Sequence, residues 1–550
     1  MTFPRNHCSF IILALVVASF SIFFTRIADF SPFEVPDVFV SFSKCLWISL
    51  SILAVLLVLQ IKDFESMSPQ RGDYSCLLIT VVVCIWSLFY IIPAFTNYPL
   101  YWKSTEEQVL FAKSLMYNVP EDIRWSTRNW GWPASYVLLI MFHRLLDIDI
   151  LAASLYLATT LNFFIPVIIF LSCKRLVSKK SALLAPLLFA LPQTYYYRYF
   201  SDYLYGFALF SILTYLVLLF KDDVRVKVLM TVFFASLTIG HPLTSLIYII
   251  FLSLSSIYEL FKFRNRGPAR LLVLLATIFI AWYIYNQLAF QATSPYIVHI
   301  LKMERATYAM SPQAYIRTPY HESLLYVFLY ASRYFLFALL GVTTLIGLLV
   351  MIRRKNKRKA ITLINLVLSS LIPWLILKVA VWESFDARFM IFGTLPVALA
   401  STYVTTTKLK RIIYIILLTI PISFALAFFP STFMLFTHEF EFRGGEFAAY
   451  YAPSNVVVIT DGYGANFVSI YNPHAQPLTY IDEATIFNVD PVKVHIPSGP
   501  HIVLRSLRQE VHAFILHRRD PMSFKLLDQR LSESHALCYN SRYSTIWFGN

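Results

Sequence analysis

The sequence predicts a mainly α, polytopic integral membrane helical bundle of about 13 transmembrane helices, followed by a small extracytoplasmic α+β domain at the C-terminal end. Three observations carry that expectation. The 550 residues are 58% hydrophobic, 17% aromatic and 14% charged, with a mean hydropathy of +0.62, whereas soluble chains carry about a quarter charged residues. Apolar runs of about 17–25 residues, enough to cross the hydrocarbon layer, recur along most of the chain. Short basic clusters separate them at regular intervals. This composition excludes a soluble enzyme, and its aromatic content excludes a disordered chain. The formal charge of +15 sits in clusters between apolar runs, so it reports topology and not nucleic-acid binding.

The spans read at 8–25, 44–61, 75–95, 150–172, 181–200, 203–220, 271–289, 323–352, 360–381, 389–406 and 412–436. A further stretch, 228–261, reads as two helices broken at Gly240-His241-Pro242. Arg5 and His7 ahead of the first run also fit a secretory signal, but no small-x-small cleavage site follows, which favours an uncleaved span. The clusters Lys174-Arg175 with Lys179-Lys180, Lys221 to Lys227, Lys262 to Arg270, Arg353 to Lys359 and Lys408 to Arg411 are each two spans from the next. All five therefore fall on one side, the cytoplasmic one by the positive-inside rule. That places the N-terminus inside and segments 96–149 and 437–550 outside a cell (cytoplasmic) membrane. Ala134–Leu146 is too short to span and reads as an outer interfacial or re-entrant helix, approached by Trp125, Trp130 and Trp132 at headgroup depth.

Residues 1–74 thus form two N-terminal spans, 75–436 the core, and 437–550 the outer domain. In the last, 456–459, 467–471, 478–481 and 545–548 read as strands and 522–531 as a helix. Five cysteines lie in or beside apolar runs and Cys538 stands alone in the polar region. A disulfide within that region is therefore excluded, and a thiolate metal site has no CxxC to stand on.

Chemistry-bearing residues concentrate on the outer side. Glu106 and Glu107 adjoin where a span meets the outer water layer. They read either as a capping box, Ser104-x-x-Glu107, or as a catalytic base. Arg198 and Asp202 stand four apart among tyrosines, as an internal salt bridge or as a pair facing an aqueous cavity. His241 lies at the helix break, as a packing residue or a functional one. Glu304 and Glu322 belong to outer loop 290–322, where solvated charges are the alternative. Asp386 and Arg388 sit at the entrance to a late span, where Arg388 could hold a phosphate in two hydrogen bonds or pair with Asp386. The middles of the spans carry almost no charge, and only the 240–242 break and Lys378 stand out near mid-depth. That asymmetry favours chemistry at the outer leaflet over ion-coupled transport.

This arrangement resembles the GT-C superfamily of polytopic glycosyltransferases. The resemblance rests on Thr105-Glu106-Glu107 through Lys113-Ser114-Leu115, on Trp132-Pro133-Ala134, on Arg198-x-x-x-Asp202, on His241-Pro242-Leu243-Thr244-Ser245 and on Arg388-Phe389 through Pro396. It departs from the pattern in having two additional spans before the acidic pair, a Glu-Glu pair, and no Trp-Trp-Asp in 437–550. A monosaccharide-transferring relative therefore fits better than an oligosaccharyltransferase. The resemblance implies transfer of a sugar from a polyprenyl-phosphate donor to a glycan, lipid or protein acceptor at the outer face. Under it, Glu106, Glu107 and Asp202 are the catalytic acids, Arg198 and Arg388 hold the donor phosphate, and His241, Glu304 and Glu322 orient the acceptor or a metal. A divalent cation, Mg or Mn, is the one cofactor it admits. Membrane lipids are expected partners and nucleic acid is not. A lipid-linked glycan flippase or a non-catalytic membrane assembly component are the alternatives.

Overall fold

The computed structural model describes residues 44–66, 101–117, 132–191, 201–219, 223–287, 289–290, 324–354, 356–380, 386–420, 436–437, 439–451, 457–459, 477–478, 501–506, 531–533, 536–540 and 544–549, with single positions 81, 82, 85, 468 and 529. The helices in chain order are α1 (Lys44–Ser66), α2 (Lys103–Tyr117), α3 (Ala134–Leu146), α4 (Ile150–Lys174), α5 (Lys179–Ala182), α6 (Leu184–Ala190), α7 (Asp202–Leu219) and α8 (Val224–Gly240). They continue with α9 (Pro242–Phe263), α10 (Gly267–Tyr285), α11 (Leu324–Arg353), α12 (Lys357–Ala380), α13 (Asp386–Ser401) and α14 (Lys410–Leu417). Among the described residues, α4, α7, α9, α10 and the Phe335–Arg353 part of α11 are long and apolar enough to cross a membrane. The expected break at Gly240-His241-Pro242 is present, and so is the helix over Ala134–Leu146. Span 8–25 lies outside the described residues.

Three expected spans differ among the described residues: 389–406 passes from α13 into a 3-10 helix at Thr402–Thr406, in 412–436 α14 ends at Leu417 before a turn at 418–419, and 181–200 is interrupted. Residues 181–200 were to form a single helix, but α5 and α6 are separated at Leu183. Pro186 explains the interruption, because its ring cannot donate to the Ala182 carbonyl and would crowd it; the helix restarts so that Pro186 falls in a first turn.

The bundle is held by a run of rings. Phe189 of α6 stacks on Phe207 of α7 at 5.2 Å; Phe207 and Phe210 meet Phe392 of α13 at 5.9 and 5.5 Å; Phe210 and Phe234 of α8 meet Tyr248 of α9 at 6.4 and 5.8 Å. All six are fully buried. Each pair adds about 0.5–1.5 kcal/mol beyond the area it buries, and the run joins five helices.

One end of this bundle gathers the basic clusters. Arg358 donates twice to Glu259, at 2.7 and 2.8 Å, and lies over the Phe263 ring at 5.6 Å. Lys359 donates to the Arg175 carbonyl at 2.7 Å and Arg354 to the Thr406 carbonyl at 2.8 Å. Lys227 lines one cavity with Arg264, Arg266 and Arg270. Representatives of all five clusters, or their immediate chain neighbours, thus meet at one end, as their spacing in sequence requires.

Beyond α14, a two-residue ladder pairs β1 (Tyr101–Trp102) with β2 (Phe436–Thr437), antiparallel. It sets the entry to α2 beside the start of the C-terminal region. There α15 (Glu439–Tyr451) packs on a five-stranded sheet of β3 (Val457–Ile459), β4 (Pro477–Leu478), β5 (His501–Ser506), β6 (Ala536–Asn540) and β7 (Ser544–Gly549), in the order β4-β3-β5-β7-β6. β3 is parallel to β4 and β5, whereas β7 is antiparallel to β5 and β6. Ala448, Val458, Val468, Ile502, Leu504 and Ile546 form a cluster of buried side chains of its own. Val468, inside an expected strand, is helical, and α15, β5 and β6 are elements that the sequence reading did not name.

Candidate active site

The helix break builds the site. Gly240 ends α8 and Pro242 opens α9 at a position where its missing N–H costs nothing, leaving His241 in extended backbone between them. The His241 side chain caps α9. Its Nδ1 accepts from the Thr244 backbone N–H at 3.3 Å and from the Thr244 hydroxyl at 2.6 Å. With Nδ1 committed as acceptor, Nε2 carries the proton of the neutral imidazole. That nitrogen is 3.9 Å from Asp202 Oδ2. The other carboxylate oxygen of Asp202 accepts from the Tyr203 backbone N–H at 3.0 Å.

The pair differs in exposure. The His241 side chain is 4% exposed and that of Asp202 35%, so the imidazole belongs to the protein and the carboxylate opens outward. Around them Tyr203 meets the imidazole edge-on at 4.9 Å and Phe392 lies at 6.1 Å. Gly240 is required by packing: a Cβ there would stand 2.1 Å from Tyr205 Cε1. The Tyr205 hydroxyl is itself tied to Ser236, with Oγ at 2.7 Å and the carbonyl at 3.2 Å. α8 starts at the basic end and rises about 25 Å over its length at 1.5 Å per residue, nearly the ~30 Å hydrocarbon thickness. The break therefore sits at the end of α8 away from the basic clusters.

The acidic-pair helix is docked on the same bundle. α2 packs on α3 and α4, and α3 also touches α8. Buried Gln108 accepts from the Ser135 hydroxyl at 2.9 Å, and Phe111 meets Tyr136 at 5.4 Å. Burial pushes the Lys113 ammonium of α2 below its ordinary value, against the opposing pull of Asp149. The backbone of Glu106 and Glu107 is helical within α2, while their side chains lie outside the described residues. α2 begins at Lys103, beside Ser104.

Arg388 lies in the first turn of α13, its side chain outside the described residues; Arg198, Glu304 and Glu322 lie wholly outside them. Among the described residues, no group of three His, Cys, Asp or Glu side chains converges as metal ligands would. Sequence reasoning singled out Asp202 and His241 separately. It missed that α7 and the α8–α9 break bring them together, along with the roles of Tyr203, Tyr205 and Thr244. Thr244 was legible as a Thr three residues after a helix-breaking His, a capping spacing.

No protein-family model matches the chain and no curated protein matches it in sequence. Solved structures do match its fold. ArnT from Cupriavidus metallidurans bound to undecaprenyl phosphate superposes with a TM-score of 0.52 at 11% identity, over 87% of this chain and 98% of that one. The archaeal oligosaccharyltransferase AglB from Archaeoglobus fulgidus, in complex with an inhibitory peptide and a dolichol-phosphate, gives 0.51 at 11% identity, over 82% and 72%. The chain shares the fold of these two solved structures. At this identity the likeness is one of backbone path, so the role of each side chain has to be argued from this chain's own geometry.

Proposed function

We propose that the protein is a membrane glycosyltransferase that moves a sugar from a polyprenyl-phosphate donor to a glycan, lipid or protein acceptor at the outer membrane face. The observation that carries this reading is the coincidence of the GT-C fold with a partly exposed carboxylate, Asp202, held beside a buried histidine at the end of the bundle opposite the basic clusters. With those clusters cytoplasmic, Asp202, His241 and the α2 helix face outward. The solved neighbours with this fold carry undecaprenyl phosphate and dolichol-phosphate, which supports a lipid-linked donor here.

In the proposed reaction, Glu106 or Glu107 takes the proton of the acceptor hydroxyl as its oxygen attacks the anomeric carbon. The bond from that carbon to the phosphate oxygen breaks, and polyprenyl phosphate leaves. Arg198 and Arg388 stabilise the charge that develops on the phosphate. Asp202, oriented by its own backbone contact and by His241, positions the acceptor or a divalent cation. With the basic end taken as the cytoplasmic interface, the ~25 Å rise of α8 carries the helix break toward the outer side and so favours this reading over a flippase, which calls for broken helices and charges at mid-depth.

The test is transfer of radiolabelled sugar from a panel of polyprenyl-phosphate sugars by the purified protein in lipid. Labelled product that depends on one donor is the expected result. Translocation of a lipid-linked sugar between leaflets without any transfer would replace the transferase with a flippase.

A further inference from the structure

The basic end of the bundle holds a cavity of about 660 Å³, within the ~300–1,000 Å³ range of small-ligand pockets. Lys227 of α8, Arg264 and Arg266 of the α9–α10 turn, and Arg270 of α10 line it, with Leu271 and Leu274 as its apolar wall. The turn is built firmly: Arg264 adopts left-handed backbone at φ 52°, Arg264 and Asn265 donate to the Leu260 and Glu259 carbonyls at 3.1 and 3.2 Å, and Asn265 Oδ1 accepts from Gly267 N at 2.9 Å. Asp223 caps α8 through the Arg225 N–H at 2.9 Å, and Glu259 is held by Arg358.

Four cationic residues thus line one cavity that has an apolar wall. Leu274 lies seven residues beyond Gly267, about 10 Å deeper along the helix, and is 47% exposed on a face that continues through Val273, Ile280 and Ile284, all more than half exposed. We infer that this cavity binds the headgroup of an anionic phospholipid of the cytoplasmic leaflet, with the phosphate among the arginines and an acyl chain along Leu274. Arginine suits the task because its guanidinium forms paired hydrogen bonds to phosphate. A zwitterionic lipid, whose amine offsets its phosphate, satisfies four cations less well than an anionic one. The inference rests on the membrane bundle and is independent of the transferase reading.

The experiment reconstitutes the full chain in phosphatidylcholine bilayers containing spin-labelled phosphatidylglycerol or spin-labelled phosphatidylcholine, and measures the motionally restricted fraction of each. Wild type retains the phosphatidylglycerol label preferentially. In the double variant Arg266→Gln/Arg270→Gln that preference falls about thirtyfold, from about 1 kcal/mol per cation at a headgroup. The double variant Lys408→Gln/Arg411→Gln, which removes equal charge from the same end outside the cavity, leaves the preference in place. Equal loss in both doubles, or loss in neither, overturns the site in favour of a general surface field. Displacement of the labelled lipid by millimolar inorganic phosphate overturns the lipid in favour of a free anion. The single substitution Arg270→Glu is read by the same outcomes if the cavity double does not assemble.

Discussion

Replacing His241 separates its cap from its ring. In His241→Ala the Thr244 N–H loses its acceptor, about 1 kcal/mol for an N-cap. The ring contacts with Tyr203 at 4.9 Å and Phe392 at 6.1 Å disappear, about 0.5–1.5 kcal/mol for each, and a void is left at a site 3% exposed. The sum is about 3 kcal/mol. His241→Asn keeps a capping oxygen and recovers about 1 kcal/mol of that, so unfolding in a fixed lipid bilayer should rank wild type above Asn above Ala. Both variants remove the imidazole beside Asp202. If His241 positions that carboxylate, sugar transfer should fall equally in the two, mainly in kcat, even though their stabilities differ. An Asn variant no more stable than Ala would remove the capping argument. Transfer that simply tracks stability would remove the positioning argument.

Gly347→Ala should destabilise the bundle by 3 kcal/mol or so, since a Cβ there would stand 2.0 Å from the Ala400 carbonyl oxygen, a backbone atom with no rotamer to change; a melt within a degree or two of wild type contradicts it. Arg358→Ala leaves the buried Glu259 carboxylate without its two donors and should cost about 2–3 kcal/mol, part of it recovered on adding Glu259→Gln; strict additivity in that double-mutant cycle would show no coupling. The depressed Lys113 pKa has a definite sign. The folded state disfavours its charged form, so between the folded pKa and the ordinary 10.5 the unfolded chain binds more protons and stability rises with pH. Melting temperatures of wild type should therefore climb toward pH 10.5 relative to Lys113→Met, and parallel curves would refute the assignment.

What was legible in the sequence follows physical range. The helix break at 240–242 and the short helix at Ala134–Leu146 are local effects of Gly, Pro and apolar length, and both stand where the residues placed them. The common end of the basic clusters was legible because span counting fixes it. The Arg358–Glu259 pair, 99 residues apart, and the approach of Asp202 to His241 depend on how helices pack, which no local spacing encodes. The sheet was read less well. β5 and β6 sit in stretches with little alternation; β5 pairs with β7 at long range in the sequence, whereas β6 and β7 form a local hairpin. α15 was missed because Gly444-Gly445 masks its helical pattern, while its burial against β5 and β7 supplies the stability that propensity does not. The break at Leu183 was hidden by an apolar run that hydropathy alone reads as continuous.

The account turns on which carboxylate does the chemistry. The most direct measurement compares single-turnover sugar transfer from the donor that supports wild type with transfer by Glu106→Gln, Glu107→Gln and Asp202→Asn, each checked for an unchanged melt. Loss of one general base lowers the rate by about 10²–10⁴. The account predicts a fall of that size in Glu106→Gln or Glu107→Gln and a smaller one, expressed partly in acceptor KM, in Asp202→Asn. Undiminished transfer by all three folded variants would contradict it.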